Sequence, residues 1–314
     1  MELKQLQSFC AVIKYKSFTK AAEKLYLSQP TVSTHIRQLE EEFRTRLIVR
    51  TTKSVEVTPR GQELYECACS IVNLRDNLMR TWSDEDEKMI RIGASTIPSA
   101  YILPEILPAW RNIHPAMQFH VFQNNSQGII EGMLRGIYDV GLVGAYIRDD
   151  ALELTPFYED RMVLITPVNG HYQEFFQRGG PTLEEICREP MLLREKGSGS
   201  KKSVTAYFER MGVDENDLTV TARLNDQESI KNLVAGGLGV SIISEKAAEA
   251  AVQAGRLLMF PLPQDTARRK LYVVSHRFAP MSSHTQHFIR FVQEFYPHDG
   301  AFAAEDGKKM REFD

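Results

Sequence analysis

The stretch SFTKAAEKLYLSQPTVSTHIRQLEEEFRTRLIVR, residues 17–50, constrains this chain more than any other, because it spells two short helices joined by a tight corner. In the second helix Val32, Ile36, Leu39 and Phe43 recur at steps of four, three and four, drawing one apolar stripe that has to be packed inward. Ser28 is placed to cap this helix, and Pro30 in its first turn costs little because the first amides have no helical partner. The opposite face carries Pro30, Ser33, Thr34 and Arg37, with Gln29 at its start. Thr19 is the expected cap of the preceding helix, whose Ala21, Ala22 and Leu25 allow a second helix to approach closely, and Tyr26 and Leu27 form the corner. A helix-turn-helix lays its second helix against base edges while the first crosses the backbone. Gln and Arg side chains pair with adenine and guanine edges, and hydroxyls hold phosphates or bases. Thr19, Ser28, Gln29, Pro30, Thr31, Ser33, Thr34 and Arg37 are therefore candidate DNA contacts. A wing is expected over 47–59: Val55, Glu56, Val57 and Thr58 alternate like a strand, and Arg50, Thr51, Thr52 and Lys53 read as a turn of phosphate-binding character.

An ordinary amphipathic helical pair is the plain alternative, and charge argues against it. Residues 1–60 hold eleven Lys and Arg against six Asp and Glu, a net of +5, while the whole chain is −3 and the remainder therefore −8. A basic lobe on an acidic chain is the footprint expected when one part alone meets phosphate.

With these parts in order, the first sixty residues resemble the N-terminal domain of LysR-type transcriptional regulators. The family pattern SFTxAAxxLxxSQPxVSxxIxxLE is met at Ser17, Phe18, Thr19, Ala21, Ala22, Leu25, Ser28, Gln29, Pro30, Val32, Ser33, Ile36, Leu39 and Glu40. Thr34–His35 is a departure, since many relatives carry a basic or amide residue there.

From 60 to 81 no helix breaker follows Gly61, and Leu64, Cys67, Ile71, Leu74 and Leu78 step by three, four, three and four, the pattern of a short coiled-coil seam. It ends in the charged run SDEDEK, read as a hinge. Two such helices about a two-fold axis would hold two DNA-reading heads at a set separation. The resemblance implies that same dimerisation, assembly to a homotetramer, and RNA polymerase as a further partner.

Beyond residue 88 the pattern changes. Strands are expected at 90–94, 119–122, 140–143, 162–166, 191–193, 220–224, 240–243 and 271–275. Helices are expected at 100–113, 128–135, 183–187, 200–210, 227–235, 245–255 and 283–296. Alternation of this kind argues for an α/β lobe with parallel sheets covered by helices. The expected organisation is an all-α winged helix-turn-helix (1–59), a linker helix and hinge (60–88), a sensor (89–297) and a disordered tail (298–314). The sensor divides into one lobe of 89–161 with 267–297 and another of 162–266. The family resemblance implies a bilobal fold similar to type 2 periplasmic binding proteins.

Ligands of such sheets sit beyond the carboxyl ends of strands, near the starts of the following helices. Ser95, Thr96 and Ile97 follow the strand RIGA, a place where hydroxyls and backbone amides suit an anion. Arg194 and the loop EKGSGSKK bring Ser198, Gly199 and Ser200 to another helix start, with Lys201 and Lys202 adding positive potential. Gly144 and Ala145 after DVGLVG, and Asn225, Gln227 and Glu228 before GGLGVSII, complete the candidate effector set. Helix capping accounts equally well for any one of the serines. The donors suit an oxyanion or organic acid, and GASTIPSAYILPEILPAW resembles relatives that govern sulfur-related metabolism.

Four cysteines, Cys10, Cys67, Cys69 and Cys187, sit at no metal-ligand or redox spacing, and are read as reduced packing thiols with any exposed one open to oxidants. His284 and His287, three apart, lack neighbouring Cys or carboxylate ligands. No phosphate loop or nucleophile elbow is present, so the chain is read as a regulator and not an enzyme, with no cofactor. No run approaches the about 18 apolar residues of a membrane helix, which points to the cytoplasm. A solute-binding protein of transport would share the sensor fold but leaves the basic head unexplained.

Overall fold

A computed structural model describes residues 1–50, 55–82, 88–195, 198–263 and 267–296. Thr51, Thr52 and Lys53, the acidic run at 83–87, Lys196 and Gly197, and the expected tail lie outside the described residues. Contacts divide the chain into two compact units: Met1–Glu87 with Leu134–Ile137 and Phe278–Ser282, and Lys88–Met133 with Tyr138–Arg277 and Ser283–Asp314. No helix among the described residues is long and apolar enough to cross a membrane.

The first unit runs α1 (Leu3–Tyr15), α2 (Phe18–Leu25), α3 (Gln29–Glu42), β1 (Ile48–Arg50), β2 (Val55–Val57) and α4 (Pro59–Thr81). Its core joins Leu6, Phe9 and Val12 of α1 to Ala21 and Ala22 of α2 and to Val32, Ile36 and Leu39 of α3. Full burial of each large aliphatic side chain in that stripe contributes about 1.5–3 kcal/mol. The two alanines permit the close approach of helices that the corner requires. The cap of α2 is Ser17, whose hydroxyl accepts the Lys20 amide at 3.2 Å, so the expected cap Thr19 lies exposed in the first turn. Ser28 caps α3 as its sequence predicts, accepting the Thr31 amide at 3.2 Å. Phe43 does not extend the buried stripe. The helix ends at Glu42, Arg44 turns left-handed at φ 49°, and the Phe43 ring is left exposed.

β1, which the alternation at 55–58 does not announce, pairs antiparallel with β2, Ile48 opposite Val57. Thr58 then accepts the Gly61 amide on its hydroxyl at 2.9 Å, and Pro59 opens α4 without an orphaned donor. Within α4, Ala68 is fully buried and Leu64 and Ile71 lean on the head's own core, whereas Cys67 is exposed. Part of the expected seam is thus spent inside its own unit.

The second unit opens with β3 (Met89–Ala94), a π-helical turn (Pro98–Ile102), α5 (Leu103–Ile113), β4 (Gln118–Gln123), α6 (Ser126–Leu134) and β5 (Val140–Val143). It continues with β6 (Leu152–Thr166), α7 (Gly170–Gln177), α8 (Leu183–Arg188), β7 (Met191–Arg194), α9 (Gly199–Arg210), β8 (Val220–Leu224), α10 (Gln227–Ala235) and β9 (Ser241–Ser244). α11 (Glu245–Gln253), β10 (Leu258–Pro261), β11 (Arg268–His276) and α12 (Ser283–Glu294) complete it. In the π turn the Leu103 amide reaches back five residues to the Pro98 carbonyl, and Pro104, next in the chain, has no amide hydrogen to donate.

The sheets are mixed, not parallel throughout. β3 pairs in parallel with β4 and β5, and β7 with β8, but β6 and β11 run antiparallel to each other and to their other neighbours. β6 is 15 residues long where the pattern announced only its last third, 162–166. Its first part, to Arg161, pairs with β11, and Met162–Ile165 pair with β9. Two apolar cores lie along it, one around Ile92, Trp110, Phe157 and Phe288, the other around Leu164, Tyr207, Ile242 and Phe260.

A side chain at Gly61 has no room. An added Cβ would lie 2.1 Å from the Leu47 carbonyl oxygen, a backbone atom that cannot swing aside. Gly61→Ala is expected to cost the head about 1–3 kcal/mol, read as an earlier transition of this unit in urea. Gly170→Ala, which meets nothing within 4 Å, is expected to stay within about 0.5 kcal/mol of the parent.

Candidate functional site

Two places in the molecule gather the residues singled out above. The first is the outer face of α3. Gln29, Pro30 and Arg37 are exposed, while Thr31, Ser33 and Thr34 are half-buried. Ser33, Thr34 and Arg37 line an open cleft of about 580 Å³, together with Ile36, Glu40, Arg46, Ile48 and Val49. The helix braces its own polar side chains, Gln29 Nε2 donating to the Ser33 hydroxyl at 3.0 Å. The Ser28 hydroxyl is already engaged by the Thr31 amide and lies 2.7 Å from the Thr31 hydroxyl. Arg37 stands 3.5 Å from Glu41 in a pair exposed to water at both ends, an interaction worth about 0–1 kcal/mol and easily exchanged for a phosphate or a base.

Two motif residues on α3 serve the scaffold instead. Glu40 accepts the Leu47 and Ile48 amides at 2.9 and 3.2 Å and thereby ties the wing to the helix. His35 turns inward, its Nδ1 2.7 Å from the hydroxyl of the fully buried Ser8, so the departure at Thr34–His35 alters the joint with α1 as much as the outer face. Arg46 and Val49 are additions that no spacing announced, because they reach the cleft only through the turn after α3. Arg50 closes β1.

The second place is a small polar cavity of about 20 Å³, room for about one water molecule. Ser95, Thr96, Ile97, Gly144, Arg194, Ser198, Gly199 and Ser200 line it, joined by Asn125, Ser126 and Arg269. The carboxyl ends of β3, β4, β5 and β7 supply most of this wall, as the strand rule requires. The Ser95 hydroxyl accepts the Gly144 amide at 3.1 Å. Gly199 has to be glycine because a Cβ there would sit 2.9 Å from the Gly144 carbonyl oxygen.

Arg194 is 6% exposed and donates to Gln227 Oε1 at 3.2 Å, while its Nε–H and the Gln227 Nε2 have no hydrogen-bond partner among the described residues. Burial lowers the Arg194 pKa, and Arg269 pushes the same way against Glu195 and Asp226. Arg269 donates through Nε to Asp160 at 2.8 Å and through Nη1 to the Ser200 hydroxyl at 3.1 Å. Asp160, 1% exposed, also accepts the Ser244 hydroxyl at 2.6 Å.

Several expected members are elsewhere. Ala145 is buried but does not line the cavity. Asn225 is exposed, and Glu228 accepts the Tyr101 hydroxyl at 2.7 Å and pairs with Lys231 at 2.8 Å. The Ser198 hydroxyl caps α9, accepting the Lys201 amide at 3.1 Å, so the capping alternative holds for that oxygen. Lys201 pairs with Glu215 and donates to Thr205, which removes its charge from the cavity. Asn125 and Ser126 follow β4 and obey the same strand-end rule as Ser95, so the sequence held a usable signal for them. Arg269 carried none, because it arrives on the returning strand β11.

Comparison with known proteins places both halves together. Residues 3–62 match the description "Bacterial regulatory helix-turn-helix protein, lysR family", and residues 83–297 match "LysR substrate binding domain". The chain belongs to the LysR family of bacterial regulators. It is a DNA-binding transcriptional regulator whose second part is a LysR substrate-binding domain.

Among its relatives, the uncharacterized HTH-type transcriptional regulator MJ0300 of Methanocaldococcus jannaschii is 34% identical, over 93% of this chain and 98% of that protein. The HTH-type transcriptional regulator CysL of Bacillus subtilis is 28% identical, over 93% and 96%. A full-length OxyR variant from Pseudomonas aeruginosa shares the fold with a TM-score of 0.69 at 18% identity, covering 94% of each chain. The regulatory domain of Synechocystis CcmR, solved in complex with 2-PG, aligns with a TM-score of 0.59 at 23% identity, over 66% of this chain and 96% of that one.

Removing one partner of a buried ion pair leaves the other charge uncompensated. Asp160→Ala is therefore expected to lower the stability of the second unit by about 3–5 kcal/mol, measured by thermal unfolding, and Glu184→Ala, whose pair with Arg188 is exposed, by less than about 1 kcal/mol.

Proposed function

We propose that the sensor is switched by a small anionic metabolite, an inorganic oxyanion or a short organic acid, held between Arg194 and Arg269 in the Ser95–Ser200 cavity. The observation that carries this reading is the buried guanidinium of Arg194, whose Nε–H has no hydrogen-bond partner among the described residues. A second guanidinium and the hydroxyls of Ser95, Thr96, Ser126 and Ser200 line the same cavity. A charge buried without full hydrogen bonding is costly, and an anion offsets that cost. Serine and threonine hydroxyls and two guanidiniums, with Ile97 the one aliphatic side chain, favour a polar ligand over a hydrophobic one, and on this reading the cavity, sized for about one water molecule, opens to admit the anion. The likeness of residues 93–110 to regulators of sulfur-related metabolism makes sulfur oxyanions the first compounds to test, and 2-PG, bound by the CcmR domain, is a second anionic candidate.

On this reading 89–161 with 267–297 and 162–266 act as two lobes, the ligand bridges them, and its unequal affinity for two arrangements of the assembly is what moves the equilibrium. The α4 stem pairs with that of a second copy, and two such dimers form a tetramer working in the cytoplasm at promoter DNA, within reach of RNA polymerase. Gln29, Ser33, Thr34 and Arg37 read bases; Thr19, Ser28, Pro30 and Thr31 at the helix starts and Arg50 at the end of β1 contact the backbone, and Thr51, Thr52 and Lys53, outside the described residues, are further phosphate contacts on the strength of their residue types alone.

Anisotropy titration against duplexes from the DNA upstream of neighbouring genes is expected to show strong, salt-weakened binding, with Arg37→Ala costing about 1–3 kcal/mol on the preferred sequence and little on random DNA. Loss of equal size on both sequences would assign Arg37 to the backbone. In a thermal-shift panel of sulfate, thiosulfate, phosphate and small carboxylates, the true effector at about 100 times its Kd is expected to raise Tm by about 5 °C or more. Thr96→Val should remove most of that shift while DNA binding without ligand stays unchanged. A panel in which no anion stabilises the protein would reject the anionic reading.

A further inference from the structure

We propose that Cys10 and Cys69 form a redox-active dithiol, which hydrogen peroxide closes to a disulfide that tethers α1 to α4 and so sets DNA affinity independently of the metabolite. The two sulfurs lie 3.6 Å apart, brought together from positions 59 residues distant in the chain. Nothing in the spacing of the cysteines announced this, because the pair exists only once α4 has packed across α1. Bonding distance is about 2.05 Å, so closure needs an approach of about 1.5 Å, within the reach of side-chain rotation. Both thiols are half-buried, accessible to a molecule as small as peroxide, while Cys67 on another face of α4 is exposed.

The surroundings divide the two roles. Cys10 sits against the apolar core of the head. The Cys69 thiol is lowered to about 7, first because the Cys10 S–H stabilises its thiolate; burial opposes this, and Tyr65, Arg135 and Lys14 add to the lowering. Cys10 is pushed upward by the same sharing of one proton. Cys69 is therefore the attacking sulfur, and Cys10 the resolving one. The Cys69 thiolate attacks one peroxide oxygen, the O–O bond breaks, and the departing hydroxide takes up a proton as water, leaving a sulfenic acid. Cys10 then attacks that sulfur; the S–S bond forms, the S–O bond breaks, and hydroxide leaves with the Cys10 proton as a second water. The two thiols lose two electrons and the peroxide gains them.

The tether crosses the joint between the DNA-reading helices and the stem that leaves them. Any adjustment of the head on its stem that DNA binding uses is restricted once the disulfide forms.

The test uses the full-length protein with stoichiometric hydrogen peroxide. Peptide mapping without reductant is expected to recover a Cys10–Cys69 linked peptide that dithiothreitol removes, in the parent and in Cys67→Ser. Its rate of formation is expected to be nearly full at pH 8, to halve near pH 7 and to fall away toward pH 6, because a lowered thiol pKa keeps the thiolate above that value and protonates it below. Apparent Kd for the preferred duplex should differ between oxidised and reduced protein by about fivefold or more. Cys69→Ser and Cys10→Ser should bind as the reduced parent does, with or without peroxide. Failure to recover the linked peptide from parent protein whose Cys67 has been fully oxidised would overturn the proposal whether or not the variants fold. Equal affinity of the linked and reduced forms would overturn it as well.

Discussion

Asp160 and Arg269 meet in the interior of the sensor at the point where β6 exchanges β11 for β9 as its neighbour, and the arrangement of the cavity follows from that contact. A carboxylate at 1% exposure can be kept charged only if its lone pairs are taken up, and Ser244 and Arg269 do so. With its Nε committed to Asp160, the Arg269 guanidinium is fixed in orientation and turns Nη1 toward Ser200 at the start of α9. The same group that ties the crossover strands together thus presents donors to the cavity. A structural ion pair and a cavity-facing cation are one device here.

In the head, the corresponding constraint is the packing of α3. Three aliphatic side chains are buried against α1 and α2, and this leaves the polar face no choice but to point outward. Each polar residue is then either braced or released. Glu40 and His35 are bound into the scaffold through the wing and Ser8, whereas Arg37 retains a solvent-screened partner that it can exchange. The basic balance of this region, +5 over the first sixty residues, gives that face its attraction for phosphate, and packing decides which of the charges can reach it.

Much of this was legible in the chain before it was folded. The α3 stripe, the Ser28 cap, the uninterrupted α4 and most strands of the sensor follow from local periodicity and backbone chemistry. Strand-end reasoning placed eight of the residues that line the cavity. The failures have physical reasons. Thr19 lost the cap to Ser17 because both hydroxyls stand near the helix start and only the extended backbone at Ser17 presents its oxygen to the Lys20 amide. β6 read as a short strand because its first two-thirds, half-buried and partly polar, lack a continuous apolar run. A parallel sheet was expected because alternating strands and helices ordinarily give one, but β6, which contributes to both cores, and β11 run against their neighbours.

By itself the sequence determined the elements and their faces, since a helix stripe, a cap or a strand end depends on residues a few positions apart and on backbone geometry common to all chains. Only the tertiary structure decided which polar groups face one another. Arg194 and Arg269 share a cavity, Lys201 is withdrawn from it by Glu215, and Cys10 meets Cys69, because elements remote in the chain are brought side by side by burial of their apolar surfaces. Those surfaces are satisfied by many sequences at each contact, so the pairing of the polar groups that ride on them leaves no local trace to read.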